Sequence, residues 1–363
     1  MKNMIIGTGN AGCQIIKMAA LSPLLDEVEF FAIDSVLSTI DMDSLSNIKF
    51  IPIMSDEKAG SGRDRERGKA MFKYHDEEKH AFDEMFRIAS ESKTPVIVVT
   101  SAAGGTGSGS VVPLCDALIK KDIPVIPIII CPNKKDPAAF HLNTSDLFMD
   151  LAEIGIKTYA LFENRKGDAN YTPINTEVVE MIELLFGKRY DKGERDTIDD
   201  SDLDRILEMP GRIMAIRADA SSVPVLQKEL ARKLFVGSQP VWKTEEVNKN
   251  TLVTAFALKS MFADVDFETV FSEIDRRIDP DMVFDNYRNI VKDDNDGVFS
   301  ASVIIAGLPR SEIKEIKGEY KEIEGIGSGI NRGKRPTFLS GKKASVIDVK
   351  SENGTIRKFK WTK

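Results

Sequence analysis

Cysteine is scarce in this chain: Cys13, Cys115 and Cys131 are the only three among 363 residues. An odd number, each inside an apolar or glycine-rich stretch, argues against a disulfide framework and predicts reduced, mostly buried thiols. Histidine is equally sparse. His75, His80 and His141 show no metal-ligand spacing with the cysteines, so no protein-ligated metal is expected and these rings are read as surface or packing groups. No apolar run approaches the roughly 20 residues of a membrane span, and the first residues lack a signal peptide's basic region and cleavage site. The expectation is a cytoplasmic protein with no membrane insertion. Internal repeats and extended low-complexity tracts are missing too. A net charge of −7 disfavours general coating of nucleic acid, although from Gly325 onward lysines and arginines outnumber acids.

What is present is a soluble globular composition, 42% apolar and 29% charged, in a chain long enough for two domains. Short apolar runs at Met4 to Ile6, Val28 to Ile33, Ile48 to Ile53, Val96 to Thr100, Val125 to Ile130 and Thr158 to Phe162 read as strands. Helical patterns between them, Arg65 to Ala89 and Ser110 to Lys120 among them, predict an α/β fold with a parallel sheet wrapped by helices. Thr176 to Phe186 places Val179, Ile182, Leu185 and Phe186 on one helical face. After the polar stretch Gly187 to Glu194 the pattern changes. Ile213 to Ala218, Leu252 to Leu258 and Val298 to Ile305 then read as strands of a smaller α+β domain.

Gly104-Gly105-Thr106-Gly107-Ser108-Gly109 follows the fourth apolar run and reads as a phosphate-binding loop. Glycines let the backbone approach an anion without Cβ interference, and a following helix would turn its unpaired N–H groups toward that anion. Pro113 is expected in the helix's first turn, where its missing N–H costs little. A second glycine loop, Gly7-Thr-Gly9-Asn-Ala-Gly12, has the G-x-G-x-x-G form, with Asp34 ending the next strand. Alone it would suggest a nicotinamide-dependent oxidoreductase. A dehydrogenase has no need of two phosphate loops, whereas two on neighbouring strands would cradle several phosphates of one nucleotide. A Walker-type loop is excluded: Gly62 to Gly68 spans one residue too many, and Ala70 follows Lys69 where a hydroxyl must meet magnesium.

Ala103 to Gly109 resembles the signature loop of the tubulin/FtsZ superfamily of GTP-driven filament proteins. Gly9-Asn10-Ala11-Gly-Cys-Gln14-Ile15 is similar to tubulin's first phosphate loop, Gly60-Ser61-Gly62-Arg63 to the loop that senses the γ-phosphate, and Tyr171-Thr-Pro-Ile-Asn175 to the head of the central helix. The resemblance covers roughly residues 1 to 310, and the shortened loops look most like the phage and plasmid branch called TubZ and PhuZ.

The resemblance implies a tubulin-like fold: a GTP-binding domain with its central helix over residues 1–186, an α+β activation domain over 187–312, and a basic tail over 313–363. It implies GTP or GDP with Mg2+, the metal held mainly by phosphates and water. Gly9, Asn10, Ala11, Ala103, Gly104, Gly105, Thr106, Gly107 and Ser108 would surround the α- and β-phosphates, with hydroxyls from Thr106 and Ser108. Asn164 and Asn175 would read guanine through their amides, with Tyr171 stacked on the base. A helix-opening asparagine can also be simply an N-cap. Arg63 would face the γ-phosphate or join the charged helix Asp64 to Lys69. Asp136, in Pro132-Asn-Lys-Lys-Asp136-Pro, takes the place of a ribose-binding acid.

Thr197-Ile-Asp199-Asp200-Ser-Asp202-Leu203 resembles the family's synergy loop, which enters the next subunit's nucleotide site. The resemblance makes Asp199 and Asp202 the hydrolytic acids of a head-to-tail polymer, with Thr197 replacing an asparagine. Without it, the acids would be a solvated helix start stabilised by the dipole. The phage and plasmid branch implies a filament that positions DNA in a bacterial host's cytoplasm; a cell-division polymer is the alternative. In the tail, Asn353-Gly354 between Ala344 to Val349 and Thr355 to Trp361 predicts a hairpin. It would dock on the chain itself, a neighbouring subunit, an adaptor or DNA, or else the tail is a disordered solubilising segment.

Overall fold

A computed structural model of the chain describes residues 3–36, 47–54, 60–92, 94–133, 135–164, 171–187, 200–239, 252–260, 266–276, 278, 281, 283–292, 298–308, 346–350 and 356–360. The first half alternates strands and helices: β1 (Met4–Thr8), α1 (Gly9–Ala19), β2 (Glu29–Asp34), β3 (Ile48–Pro52), α2 (Arg65–Glu77), α3 (Asp83–Ser90), β4 (Val96–Ser101), α4 (Thr106–Ile119), β5 (Val125–Cys131), α5 (Ala138–Glu153), β6 (Thr158–Glu163) and α6 (Thr172–Phe186). All six predicted strands are present. They are parallel and ordered β3-β2-β1-β4-β5-β6, the arrangement of doubly wound nucleotide-binding sheets.

Both faces of this sheet are covered, as a parallel sheet requires. Strand alternation sends Ile5, Ile97, Val99 and Ile128 into one core with α1 and α6, built on Ile15, Ile16, Val178 and Ile182. Met4, Ile6, Val96 and Val98 go to the other, with Phe72 of α2, Phe86 of α3, Leu114 and Leu118 of α4 and Leu147 of α5. The predicted helix from Arg65 to Ala89 is two helices. His80 takes φ 51° and the chain doubles back, with Ala81 N–H bonded to His75 O at 3.0 Å. Phe72 and Phe82 then stack across the break at 4.4 Å.

The second half contributes α7 (Asp200–Glu208), β7 (Gly211–Ala220), α8 (Val223–Val236), β8 (Leu252–Ser260), α9 (Phe267–Asp275), β9 (Val283–Lys292) and β10 (Phe299–Leu308). β7 pairs in parallel with β6 over Thr158↔Gly211 to Ala160↔Ile213, so one ten-stranded sheet runs β3-β2-β1-β4-β5-β6-β7-β10-β8-β9. Beyond Ala160 the strands are held apart by Ser238 and Gln239. The Gln239 amide pairs with Ala215 as a strand would, and Ser238 O accepts from Glu163 N–H at 2.6 Å. A separate core of Leu226, Leu230, Phe256, Phe271 and Val303 supports this half. β11 (Val346–Lys350) and β12 (Ile356–Lys360) form the antiparallel hairpin expected in the tail. The three cysteines are buried and form no disulfide with one another, and burial pushes the Cys115 thiol far up. No helix among the described residues is long and apolar enough to cross a membrane.

Candidate functional site

The strand order reverses between β1 and β4, which are direct neighbours. Open parallel sheets bind ligands outside such a switch point. Both glycine loops lie there, one on each strand. Neither α1 nor α4 has a side-chain N-cap bond, and neither has an acid in its first turn. Two helix dipoles therefore converge with no carboxylate compensating either. The loops also touch: Gly9 has φ +67°, and a Cβ on it would lie 2.7 Å from Gly107 N. On Gly105 a Cβ would meet Ser61 Oγ at 2.2 Å, whereas on Gly104 it would find nothing within 4 Å. Three glycines serve contact between loops, and Gly104 faces open space. Asn10 is exposed at the start of α1, with Ala11 and Gln14 partly buried in the same helix.

α4 begins at Thr106, earlier than predicted, so Pro113 is its eighth residue rather than a first-turn residue. The glycines made the segment look like loop, yet they are helical because other backbones press on them. A Cβ on Gly107 would lie 2.8 Å from Thr8 O and one on Gly109 2.4 Å from Arg65 O. Within this turn the Ser108 hydroxyl donates to Gly104 O, and the Ser110 hydroxyl donates to Thr106 O at 2.8 Å.

Gly60, Gly62 and Arg63 all have positive φ, so the third loop coils back onto α4. The Thr106 hydroxyl donates to Ser61 Oγ at 3.1 Å and lies 2.7 Å from Ser35 Oγ. The three hydroxyls form one chain, in which either Ser35 or Thr106 can donate across the 2.7 Å contact. Ser35 in turn follows Asp34, whose carboxylate accepts Ser35 N–H at 2.7 Å and is 2% exposed. That carboxylate is the one a nicotinamide dinucleotide would need on its ribose, and here it is enclosed. Arg63 lies over the Phe140 ring at 4.9 Å. Asp64, next in sequence, caps α2 by accepting from Glu66 and Arg67 N–H.

Four residues that join the loops were missed in the sequence. Asn143 of α5 donates to Arg63 O at 3.2 Å and Ala103 O at 3.1 Å, tying the third loop to the signature loop. Arg65 is 1% exposed; its Nε donates to Ser108 O at 3.2 Å and its Nη2 to Asp150 at 2.5 Å. Lys69 reaches the same carboxylate oxygen at 2.7 Å. Burial would raise the Asp150 pKa, but hydrogen bonds and charge from Lys69 and Arg65 outweigh it and hold the carboxyl below its ordinary value. A signal existed: Asn143 and Asp150 are seven apart on the face that carries the buried Leu147 and Leu151.

On the other side of the crevice, Asp136 accepts from Asn133 N–H at 2.8 Å, and the Asn133 amide donates to Asn164 O at 2.9 Å. The structure thus brings Asp136 and Asn164 together through Asn133, another residue the sequence did not single out. Tyr171 occupies the N-cap position of α6 and is 57% exposed. Asn175 is the fourth residue of that helix, half-buried, its N–H bonded to Tyr171 O at 3.0 Å. It is not an N-cap. His75 bonds Met71 O and His80 is exposed beside Asp83, while His141 Nε2 is buried without a hydrogen bond.

Asp199 lies outside the described residues. Asp202 is on α7, whose far end is fixed by Thr158 Oγ1 donating to Met209 O at 2.9 Å, at the first residue of β6. Arg205 of the same helix pairs with Asp285 at 3.1 Å. Asp285 is level with Val253, Val253 with Ala306, and all sit where β7, β8 and β9 begin. The glycine loops are at the opposite, C-terminal ends of the strands. Asp202 and the glycine loops therefore occupy opposite ends of one sheet. Among the described residues no cluster of three or more His, Cys, Asp or Glu could hold a metal ion.

No protein-family model matches the chain, and no curated protein does. Solved structures do. CetZ2 from Haloferax volcanii, a GTPγS-bound protofilament, superposes with a TM-score of 0.70 at 20% identity, covering 90% of this chain and 100% of that one. TubZ from Bacillus thuringiensis serovar israelensis, as GDP-form protofilaments, gives 0.68 at 16% identity, covering 91% and 93%. An empty FtsZ dimer from M. jannaschii gives 0.62 at 15% identity, covering 84% and 88%. With the strand order, the paired glycine loops and these superpositions in agreement, the chain has the tubulin/FtsZ fold.

Proposed function

We propose that the chain binds and hydrolyses GTP and assembles head to tail into filaments, each GTPase site being completed by the adjacent subunit. The observation that carries this reading is the separation of the two halves of the chemistry: uncapped helix starts at one end of the sheet, Asp202 at the other. A polymer that stacks one end on the other unites them, and such a heterologous contact propagates instead of closing. The relatives solved as protofilaments support the same stacking.

In this reading Gly9 to Ala11 and Ala103 to Ser108 hold the α- and β-phosphates through main-chain N–H groups, and Gly104 faces the space the phosphates fill. Gly60 to Arg63 closes over the γ-phosphate, anchored by the Ser61–Thr106–Ser35 hydroxyls. Asn164, Tyr171 and Asn175 bind the base, and Asp136 faces the ribose. Mg2+ suits the crevice as a phosphate- and water-held ion, which neutralises charge on the phosphates. Asp202, with Asp199, positions the attacking water on the neighbour's γ-phosphate. We place the protein in the cytoplasm of a bacterial host, and its cargo as phage or plasmid DNA held through the basic tail or an adaptor. The resemblance of the shortened loops to the TubZ and PhuZ branch favours that cargo over a division role.

Light scattering with GTP, alongside phosphate release, tests the core of this reading. Asp202→Ala should still form filaments, longer-lived ones, while hydrolysis falls about 100-fold or more, the range of a lost general base. Equal hydrolysis by wild type and variant, or hydrolysis that does not change on dilution below the assembly threshold, would sink it.

A further inference from the structure

The phosphate loop contains no lysine or arginine of its own, and the first turn of α4 carries no charged side chain. A cation nevertheless lies directly behind it. Arg65 is among the largest fully buried side chains among the described residues, and it reaches across from α2 to the carbonyl of Ser108. Its other end is clamped by Asp150 of α5, which also holds Lys69. Two cations share that one half-buried carboxylate, and both also pair with Glu66, which is exposed. The four charges balance formally, but only the Arg65 guanidinium is fully buried, and it is the one bonded to the loop.

We infer that Arg65 is a positioning residue for phosphate binding, holding and polarising the signature loop from beneath through the Ser108 carbonyl. A charge-assisted bond to that oxygen draws electron density from the Ser108–Gly109 peptide, strengthens the Gly109 N–H bond to Gly105 O at 3.0 Å, and so fixes the turn that opens α4. Gly68 and Gly109 bring α2 and α4 into backbone contact, with a Cβ on Gly68 falling 2.3 Å from Gly105 O. Arg65 sits one turn before Gly68 on the same helix, so its reach to Ser108 is set by that crossing. The planar fork of arginine bridges Ser108 O and Asp150 at once, which the single ammonium of lysine cannot do.

The inference rests on the phosphate-binding reading of the loop but not on the identity of the base, so inorganic pyrophosphate and guanosine serve as separate calorimetric probes of the full chain. Arg65→Lys keeps the charge and should keep the fold, with a melting temperature close to wild type. Its affinity for pyrophosphate should fall about ten-fold, the effect of one charged hydrogen bond, while guanosine affinity stays unchanged. Asp150→Asn, which frees the guanidinium from its clamp, should lower pyrophosphate affinity in the same direction. Undiminished pyrophosphate binding by Arg65→Lys would overturn the inference, as would an equal loss for both probes, which marks a general structural effect. Wild-type protein that binds neither probe would instead refute the nucleotide site itself.

Discussion

At the scale of single residues, the glycines around the site separate into two kinds that sequence cannot distinguish. Gly68 looks like an ordinary helical glycine, where alanine should gain up to about 1 kcal/mol of helix propensity. Its Cβ would fall 2.3 Å from a main-chain oxygen that cannot swing away, and overpacking of that kind costs about 1–3 kcal/mol or more. Gly68→Ala should therefore lower the melting temperature despite the better helix former. Gly104→Ala should leave it unchanged, since nothing lies within 4 Å, yet weaken GTP binding because the methyl enters the space assigned to phosphate. Calorimetric melting and nucleotide titration of the two variants check both outcomes. The glycines of the loops were legible because few backbones need four in six residues. Arg65, Asn143 and Ser35 were not: each acts through a partner 40 or more positions away in the chain, and a lone polar residue carries no mark of that partner.

At the scale of elements, strands β1, β2, β4, β5 and β6 could be read because each is a compact apolar run buried on both faces, and the edge strand β3 because it keeps Ile48, Phe50 and Ile51 in a short run. β9 could not, since Asp285, Asn286, Arg288 and Asn289 interrupt any alternation, and its place at the sheet edge tolerates them. The start of α4 was misjudged for a related reason: helix propensity disfavours Gly107 and Gly109, but contact with β1 and α2 overrides it. The junction of α2, α4 and α5 also predicts a pH dependence. The Asp150 carboxyl is held below its ordinary value in the folded chain, so it stabilises the fold at neutral pH. That contribution is full above the unfolded carboxylate value and is lost as pH falls through the lower folded one. Asp150→Asn should accordingly melt earlier than wild type at pH 7, and the difference should narrow on acidification below pH 4. A gap that stays constant down to the acid limb would show that the ion pairs contribute nothing titratable.

At the scale of the whole molecule, α6 connects the two ends of the site, and its polar face faces the second half. Glu177 accepts from Ser238, Glu180 pairs with Lys233 at 2.8 Å, and Glu183 pairs with Arg217 at 3.3 Å. The helix that begins at Tyr171 and Asn175 is thus bonded along its length to α8, β7 and the wedge between β6 and β7. Asp202 lies at the end of the sheet opposite the glycine loops, so the proposed function assigns it to the site of the neighbouring subunit. The consequence can be measured by mixing. Asp202→Ala subunits loaded with γ-labelled GTP hold an intact phosphate site but present no acid to the next subunit. Alone, they should release label about 100-fold more slowly than wild type. Added to an excess of unlabelled wild type, most would find a wild-type acid on their nucleotide face, and label release should return to within a few-fold of the wild-type rate. If the acid instead acted within its own chain, the labelled sites would stay slow in any mixture, because no wild-type neighbour could supply what their own sequence lacks. Release measured before nucleotide exchange reaches equilibrium separates these two outcomes.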